Sequence, residues 1–244
     1  MANPRSTTSA DVPQYVLDHA PIVHLFSADP YRPSSPVASL VNTRPQIAFE
    51  DVQVYVKPLK LGNLDQLNGA GAKGGVDVYL TSVADVTTNP AWLNRTQTDV
   101  NGGTLGDHVG DWEHNMIRFV NGSPKAVWYS QHANGSAYTF STVLKDTSGK
   151  RPLAYCVNGS HALYPTPGTH DHTIPNINLT TSLLLVDETD QGPLYDPLRS
   201  AYYYTYTSNL KSFTAITPSE EAPTGWLYYK GRWSDEEYPA SDKS

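Results

Sequence analysis

The residues best equipped for chemistry lie in Asp107-His108-Val109-Gly110-Asp111-Trp112-Glu113-His114 and among the histidines that follow. In an extended chain successive side chains alternate faces, so Asp111 and Glu113 project one way while Trp112 and His114 project the other. Two carboxylates so close on one strand face repel unless a cation sits between them or one holds a proton. His108, in the loop just before, can swing over the same face. One imidazole with two carboxylates is a hard-to-borderline donor set, suited to Mg2+, Ca2+ or Mn2+ and less directly to Zn2+. The plain alternative for an isolated Asp-x-Glu is a solvated strand edge.

The density of histidine weighs against that alternative. Of the 8 histidines, all but His19 and His24 fall between positions 108 and 172: His108, His114, His132, His161, His170 and His172. His132 closes the aromatic run Val127-Trp-Tyr-Ser-Gln-His, His161 lies in Asn158-Gly-Ser-His-Ala, and His170-Asp-His172 belongs to a Pro-rich loop. Strand ends that each deliver an imidazole beside an acidic pair are how a rigid sheet builds a site. The expectation is one polar cavity. In it His108, Asp111 and Glu113 ligate metal, His132 and His161 act as acid–base groups if the chain is an enzyme, and His170, His172 and Trp128 contact substrate. Alternation sets His114 on the Trp112 face, where a packed, hydrogen-bonded ring is expected. Asp187, Asp190 and Asp196 read as turn and cap residues. No Gly-x-Ser-x-Gly elbow is present, and Cys156 reads as an inert buried thiol in a strand.

The elements that must position these groups are strands. Pro13 suits the first turn of a short helix, and Pro21 marks the start of a strand after it. Asp29-Pro-Tyr-Arg-Pro-Ser-Ser-Pro is a turn-rich loop, and Gly69-Ala-Gly-Ala-Lys-Gly-Gly is a flexible connection rather than a phosphate loop. Strands are expected at Gln53–Val56, Val76–Leu80, Trp112–Val120, Ala126–Gln131, Ala137–Leu144 and Arg151–Val157. The pattern continues at Leu183–Val186, Ala201–Tyr206 and Trp226–Tyr229. Turns fall at Asn121-Gly122, Asn134-Gly135 and Ser148-Gly149. Residues 1–11 read as disordered, and residues 12–244 as a single all-β domain, an antiparallel β-sandwich with long loops and at most one short N-terminal helix.

The 244 residues carry a formal charge of −7, with no Lys/Arg cluster able to track a phosphate backbone, so nucleic acid is excluded as a partner. The same charge disfavours an anionic membrane surface. The 16 Tyr and 5 Trp supply much of the area a core needs. A lone cysteine allows neither an internal disulfide nor a thiolate zinc cage. No stretch is long and apolar enough for a transmembrane segment, and the first residues lack the apolar run of a signal peptide, which leans towards a cytoplasmic location. Asn-x-Ser/Thr triplets at Asn94, Asn121, Asn134, Asn158 and Asn178 lean weakly the other way. No oligomeric state follows from the sequence.

Several blocks resemble the vacuolar protein sorting-associated protein 62 family of fungi: Gly106-Asp-His-Val-Gly-Asp-Trp-Glu-His-Asn-Met, Trp128-Tyr-Ser-Gln-His, Asn158-Gly-Ser-His-Ala, Thr169-His-Asp-His-Thr-Ile-Pro and Gly225-Trp-Leu-Tyr. The likeness runs from Val12-Pro-Gln-Tyr to Gly231-Arg-Trp and implies a role in vacuolar protein sorting and a vacuolar or secretory location. A second, local resemblance joins His108-x-x-Asp111-Trp112-Glu113 to the metal site of the necrosis- and ethylene-inducing peptide-like proteins. These are β-sandwiches that hold a divalent cation. It implies His108, Asp111 and Glu113 as ligands, with Gly110 standing where that motif has a second histidine. Sorting-family members carry an aromatic-rich strand before the Gly-Asp-His block, whereas here Trp92 is followed by Leu-Asn-Arg-Thr-Gln-Thr-Asp-Val. Its absence would open a sheet edge and makes Asp107 a substitute ligand.

Three functions follow. The first is a metal-organised binding module that recognises a glycan, a lipid headgroup or a sorting partner. The second is a metal-dependent hydrolase or acid–base enzyme using the Asp/Glu/His set. The third is a toxin-like membrane-active protein, for which the local metal motif is the only support.

Overall fold

The computed structural model describes residues 11–29, 31–53, 56–84, 110, 112–132, 134–171 and 186–237. In chain order its elements begin with α1 (Gln14–Asp18), β1 (Ile22–His24), α2 (Pro36–Val41), β2 (Thr43–Ile47), β3 (Glu50–Asp51) and β4 (Tyr79–Ser82). There follow β5 (Asn115–Val120), β6 (Ser123–Gln131), β7 (Asn134–Thr139), β8 (Leu153–Cys156), β9 (Leu163–Tyr164) and β10 (Gly168–Asp171). The last are β11 (Val186–Thr189), β12 (Leu194–Tyr195), β13 (Tyr204–Thr207) and β14 (Ser212–Ala215). The fold is all-β, with small and mainly antiparallel sheets and only short helical pieces. The chain forms two compact units, one of Met1–Val16, Ser34–Ala84 and Ser200–Ser244, the other of Leu17–Pro33 and Asp85–Arg199.

In the first unit β2 pairs with both β3 and β4. The α2 helix begins where Ser35 accepts a hydrogen bond from Val37 N (3.2 Å) and Pro36 supplies a preset first turn. A 3-10 helix at Leu61–Gly69 repeats every three residues, so Leu61, Leu64 and Leu67 line one edge. That edge is buried with Leu40, Val78 and Leu80, and Trp226 packs against it. Of the strand expected at Trp226–Tyr229, residues 226–228 lie instead in a second 3-10 turn, Gly225–Tyr228, with Tyr229 as its extended C-cap. Local closure wins there: Leu227 N donates to Thr224 O (3.0 Å) and Trp226 Nε1 to Pro223 O (2.9 Å). Asp11 bridges Thr217, while positions 1–10, expected to be disordered, lie outside the described residues.

The second unit carries the candidate site. Asn121 and Gly122, at φ 50° and 73°, join β5 to β6 in the left-handed geometry that a two-residue hairpin needs. The turn expected at Asn134-Gly135 is displaced, because those residues already belong to β7 and the chain reverses at His132 instead. Gly135 answers a different demand, since a Cβ there would lie 2.5 Å from two ring carbons of Trp128. Glycine lets the indole lie across the sheet. A second sheet runs β12-β1-β8-β9, its β1–β8 pair parallel, and β10 pairs with β11.

Val127, Tyr129, Val143, Ala154, Cys156 and Leu163 form this unit's core. Tyr129 is fully buried and donates its phenol to Leu153 O (3.0 Å); burial pushes that phenol well above its ordinary range, so it remains a donor. Tyr129→Phe is expected to cost about 1 kcal/mol by leaving a buried carbonyl short of a partner. Urea denaturation would detect it as a lower midpoint with an unchanged slope.

Candidate functional site

Two histidine–carboxylate pairs stand out in the second unit. His132 Nε2 lies 2.7 Å from Asp187 Oδ2, and the Tyr164 phenol donates to the same oxygen at 2.7 Å. His161 Nε2 lies 3.1 Å from Asp29 Oδ2. Both carboxylates are deeply buried, with side chains 7% and 2% exposed, while the two imidazoles keep about a quarter of theirs in contact with solvent, 28% and 25%. A carboxylate can only accept, so each neutral ring bears its proton on Nε2 and its lone pair on Nδ1.

Both imidazoles are held at strained positions. His132 has φ 51° and His161 φ 57°, left-handed values that cost an L-residue on the order of 1 kcal/mol or more. Each pair is fixed by its strands. Asp187 lies on β11 with its side chain inward, because the residues of β11 alternate exposed and buried: Val186 out, Asp187 in, Glu188 out, Thr189 in. Its cross-strand partner on β10 is His170, so the two share a face. The His170 ring stacks on Tyr164 with centroids 3.8 Å apart, and its Nε2 lies 3.1 Å from Thr166 O and 3.0 Å from Thr189 Oγ1. Burial pushes the His170 pKa down; the Thr166 hydrogen bond and the Asp187 charge offset this only partly, so the ring favours its neutral form.

Asp29 is held from three sides. Besides His161, it accepts from Gly159 N (3.0 Å) and Tyr31 N (2.7 Å). Burial alone would raise its pKa, but the hydrogen bonds from His161, Gly159 and Tyr31 outweigh burial and hold the carboxyl below the usual range. The turn bearing His161 is tied to β11, where Asn158 N donates to Glu188 O (3.2 Å) and Val157 bridges Thr189. His161 precedes Tyr164, the donor to Asp187, by three residues, so the two Cα atoms lie at most about 11 Å apart.

Glu113 approaches the same region through the β5–β6 ladder. Asn115 pairs with Tyr129, and Ser130 N donates to His114 O (3.2 Å), carrying the register one step further. Continued by one more residue, that register would bring Glu113 beside Gln131, where β6 ends. Glu113 is half-buried and in phase with Ile117, on the core side of β5. His114 is exposed, not packed, together with Trp112 (49%) and Met116 (59%) on the opposite face of β5. Trp128 lies across from Met116 and Ala137, on the face away from Tyr129.

His108, Asp107, Asp111 and His172 lie outside the described residues. Among the described residues no three His, Cys, Asp or Glu side chains are gathered closely enough to hold a metal ion. Cys156 is buried, as expected, with its thiol near His161 O (3.6 Å).

The comparison with known proteins adds to this geometry. The sequence profile of vacuolar protein sorting-associated protein 62 matches residues 87–178. Two relatives from Saccharomyces cerevisiae, TDA6 and vacuolar protein sorting-associated protein 62, are each 28% identical over 96% and 95% of this chain. The chain is related to the Vps62 family. The matched stretch of this Vps62-like chain contains every residue that the sequence marked out as ligand, acid–base group or substrate contact. Asp29 and Asp187, which complete the two pairs, fall outside it.

The chain spans 63% and 61% of the lengths of these two relatives. The first alignment runs over 303 positions, more than the 244 residues of the Vps62-like chain, so the relative has residues with no counterpart here. No solved structure matches the chain. Among the described residues, no helix is long and apolar enough to cross a membrane.

Sequence reasoning missed Asp29, Tyr164, Thr189 and the role of Asp187. Asp190 and Asp196 do act as turn caps, accepting from Gly192 N (2.9 Å) and Leu198 N (3.1 Å). Asp187 resembles them in sequence, and only its inward phase on β11 separates it from them.

Proposed function

We propose that this Vps62-like chain is a recognition module of vacuolar protein sorting, in a vacuolar or secretory setting. In this reading its second unit binds a divalent cation at Glu113 and the acidic segment before it. His108, Asp107 and Asp111 would complete the ligand set. Three carboxylates and one imidazole fit Mg2+, Ca2+ or Mn2+. When bound, the cation would neutralise the mutual repulsion of the carboxylates. A glycan or a lipid headgroup would then meet the exposed edges of His132 and His161, with His170, His172 and Trp128 as further contacts. The observation that supports this reading is the Ser130 N–His114 O hydrogen bond (3.2 Å), which carries the β5–β6 ladder up to the residue after Glu113, on the strand that ends just before the His132 of the His132–Asp187 pair.

Elemental analysis and melting curves with and without chelator test it. At a tenfold excess of cation over Kd, binding adds about 1.4 kcal/mol, which chelation should remove. Asp111→Asn and Glu113→Gln should abolish that response. Purified protein with no metal content and melting curves indifferent to chelator would retire the reading.

One observation favours an acid–base enzyme instead. The His132 imidazole is backed by a buried carboxylate that Tyr164 also holds, an arrangement that stabilises the protonated ring formed during proton transfer. On that reading His132→Ala or His161→Ala eliminates turnover of a hydrolysable substrate without unfolding the unit. Intact turnover in both variants excludes it.

A further inference from the structure

The first unit, apart from the histidine pairs, contains a cavity of about 620 Å³, within the size range of small-molecule sites. Val37, Leu40 and Val41 of α2 form one wall; Leu59, Leu61 and Tyr202 contribute much of the rest. Leu40 and Leu61 are 7% and 3% exposed and belong to the core of the unit, so the inner wall is anchored by packing. The outer edge is different. Val37 is 46% exposed and Val41 76%, one helical turn apart, and Tyr202 is 45% exposed. Apolar surface left to water beside a cavity marks a place for an apolar ligand.

The polar inventory of the cavity is short. Both ends of the Asn63 amide are engaged, Oδ1 accepting from Lys60 N (2.7 Å) and Nδ2 donating to Pro58 O (3.2 Å). Lys60 is the one charged residue among the described lining residues, and its side chain is exposed. Such walls cannot repay the desolvation of a ligand rich in hydroxyl groups. They suit an alkyl chain, and a single ammonium at the margin suits a single anionic head. A methylene occupies roughly the space of a liquid water, about 30 Å³, so a chain of sixteen to eighteen carbons fills about 500 Å³ and leaves no room for a second.

We propose that this cavity binds one long-chain fatty acid, its alkyl chain against Val37, Leu40, Val41 and Leu61 and its carboxylate beside Lys60. This inference is independent of the cation reading, because the cavity and the acidic segment belong to different units.

The test titrates the full chain with monomeric oleate and with oleyl alcohol by calorimetry. Melting curves serve as a folding control. Saturable one-to-one oleate binding is expected, with the alcohol about fivefold weaker because it lacks the charge that Lys60 meets. Lys60→Glu should weaken oleate by about fivefold or more and leave the alcohol unchanged. Val41→Asp should weaken both ligands, and neither substitution at these exposed positions should shift the melting midpoint. Absence of saturable oleate binding overturns the proposal, as does a Lys60→Glu variant that binds oleate as the parent does. Association with phosphatidylserine vesicles in the absence of monomer binding would assign this surface to a membrane and also overturn it.

Discussion

Asp29→Ala is expected to lower the stability of the second unit by about 3 kcal/mol, because it strands two backbone donors and a buried imidazole edge at once. The Asp29 side chain is 2% exposed and accepts from His161, Gly159 and Tyr31. Water cannot replace it without opening the loop. For a chain of this size the melting midpoint should fall by roughly 10 °C. Asp29→Asn keeps the shape and loses the charge, which exposes the pH dependence. The folded carboxyl is held below its ordinary pKa by those hydrogen bonds, despite burial. Its charged form therefore contributes stability that is fully present above the unfolded value of about 4 and is lost as pH falls through the lower folded value. Urea melts of the parent and the Asn variant should differ most near neutrality and converge on acidification below about pH 4. A gap that is constant down to pH 2 would show that the Asp29 charge contributes nothing.

Asp187→Ala should cost about 2–3 kcal/mol, since it leaves the buried Tyr164 phenol and the His132 Nε2–H without their shared acceptor. Its second consequence is chemical. Asp187 fixes the ring orientation and places the His132 proton on Nε2, so the variant should lose that tautomer preference. Imidazole nitrogen NMR of the parent should show a protonated Nε2 and an unprotonated Nδ1 in the neutral form of His132. An unchanged pattern in the variant would mean that Asp187 is a stability residue alone. His132→Ala and Asp187→Ala should together cost less than the sum of the single substitutions, because both remove the same contact.

Much of the local structure was legible from residue types. Pro13 and Pro21 bracket α1 and admit β1, as expected. Asn121-Gly122 makes a hairpin because both residues accept a positive φ. Asn134-Gly135 has the same composition and makes no turn, because both residues already pair with Gln131 and Ser130 of β6 and the chain reverses before them. The contrast is instructive. A dipeptide preference is worth about 1 kcal/mol or less, and the register of the whole β6–β7 pair outweighs it. His114 failed for a related reason. Alternation correctly put it on the Trp112 face, yet that face of β5 is the exposed one.

By themselves, the residue types and their order determined that the chain is all-β, that Cys156 is buried, and that His132 and His161 close strands or turns with polar work to do. They also carried the kinship to vacuolar sorting proteins, since the recognisable blocks are contiguous stretches. Which carboxylate meets which histidine was decided only by the tertiary structure. His132 and Asp187 are 55 residues apart, and the Asp29–His161 pair spans a still longer separation. No local rule reaches that far. Pairing at such range depends on which face of β11 turns inward and on where the loop after Phe26 is pinned, and both are settled by packing the core rather than by any neighbour in the chain.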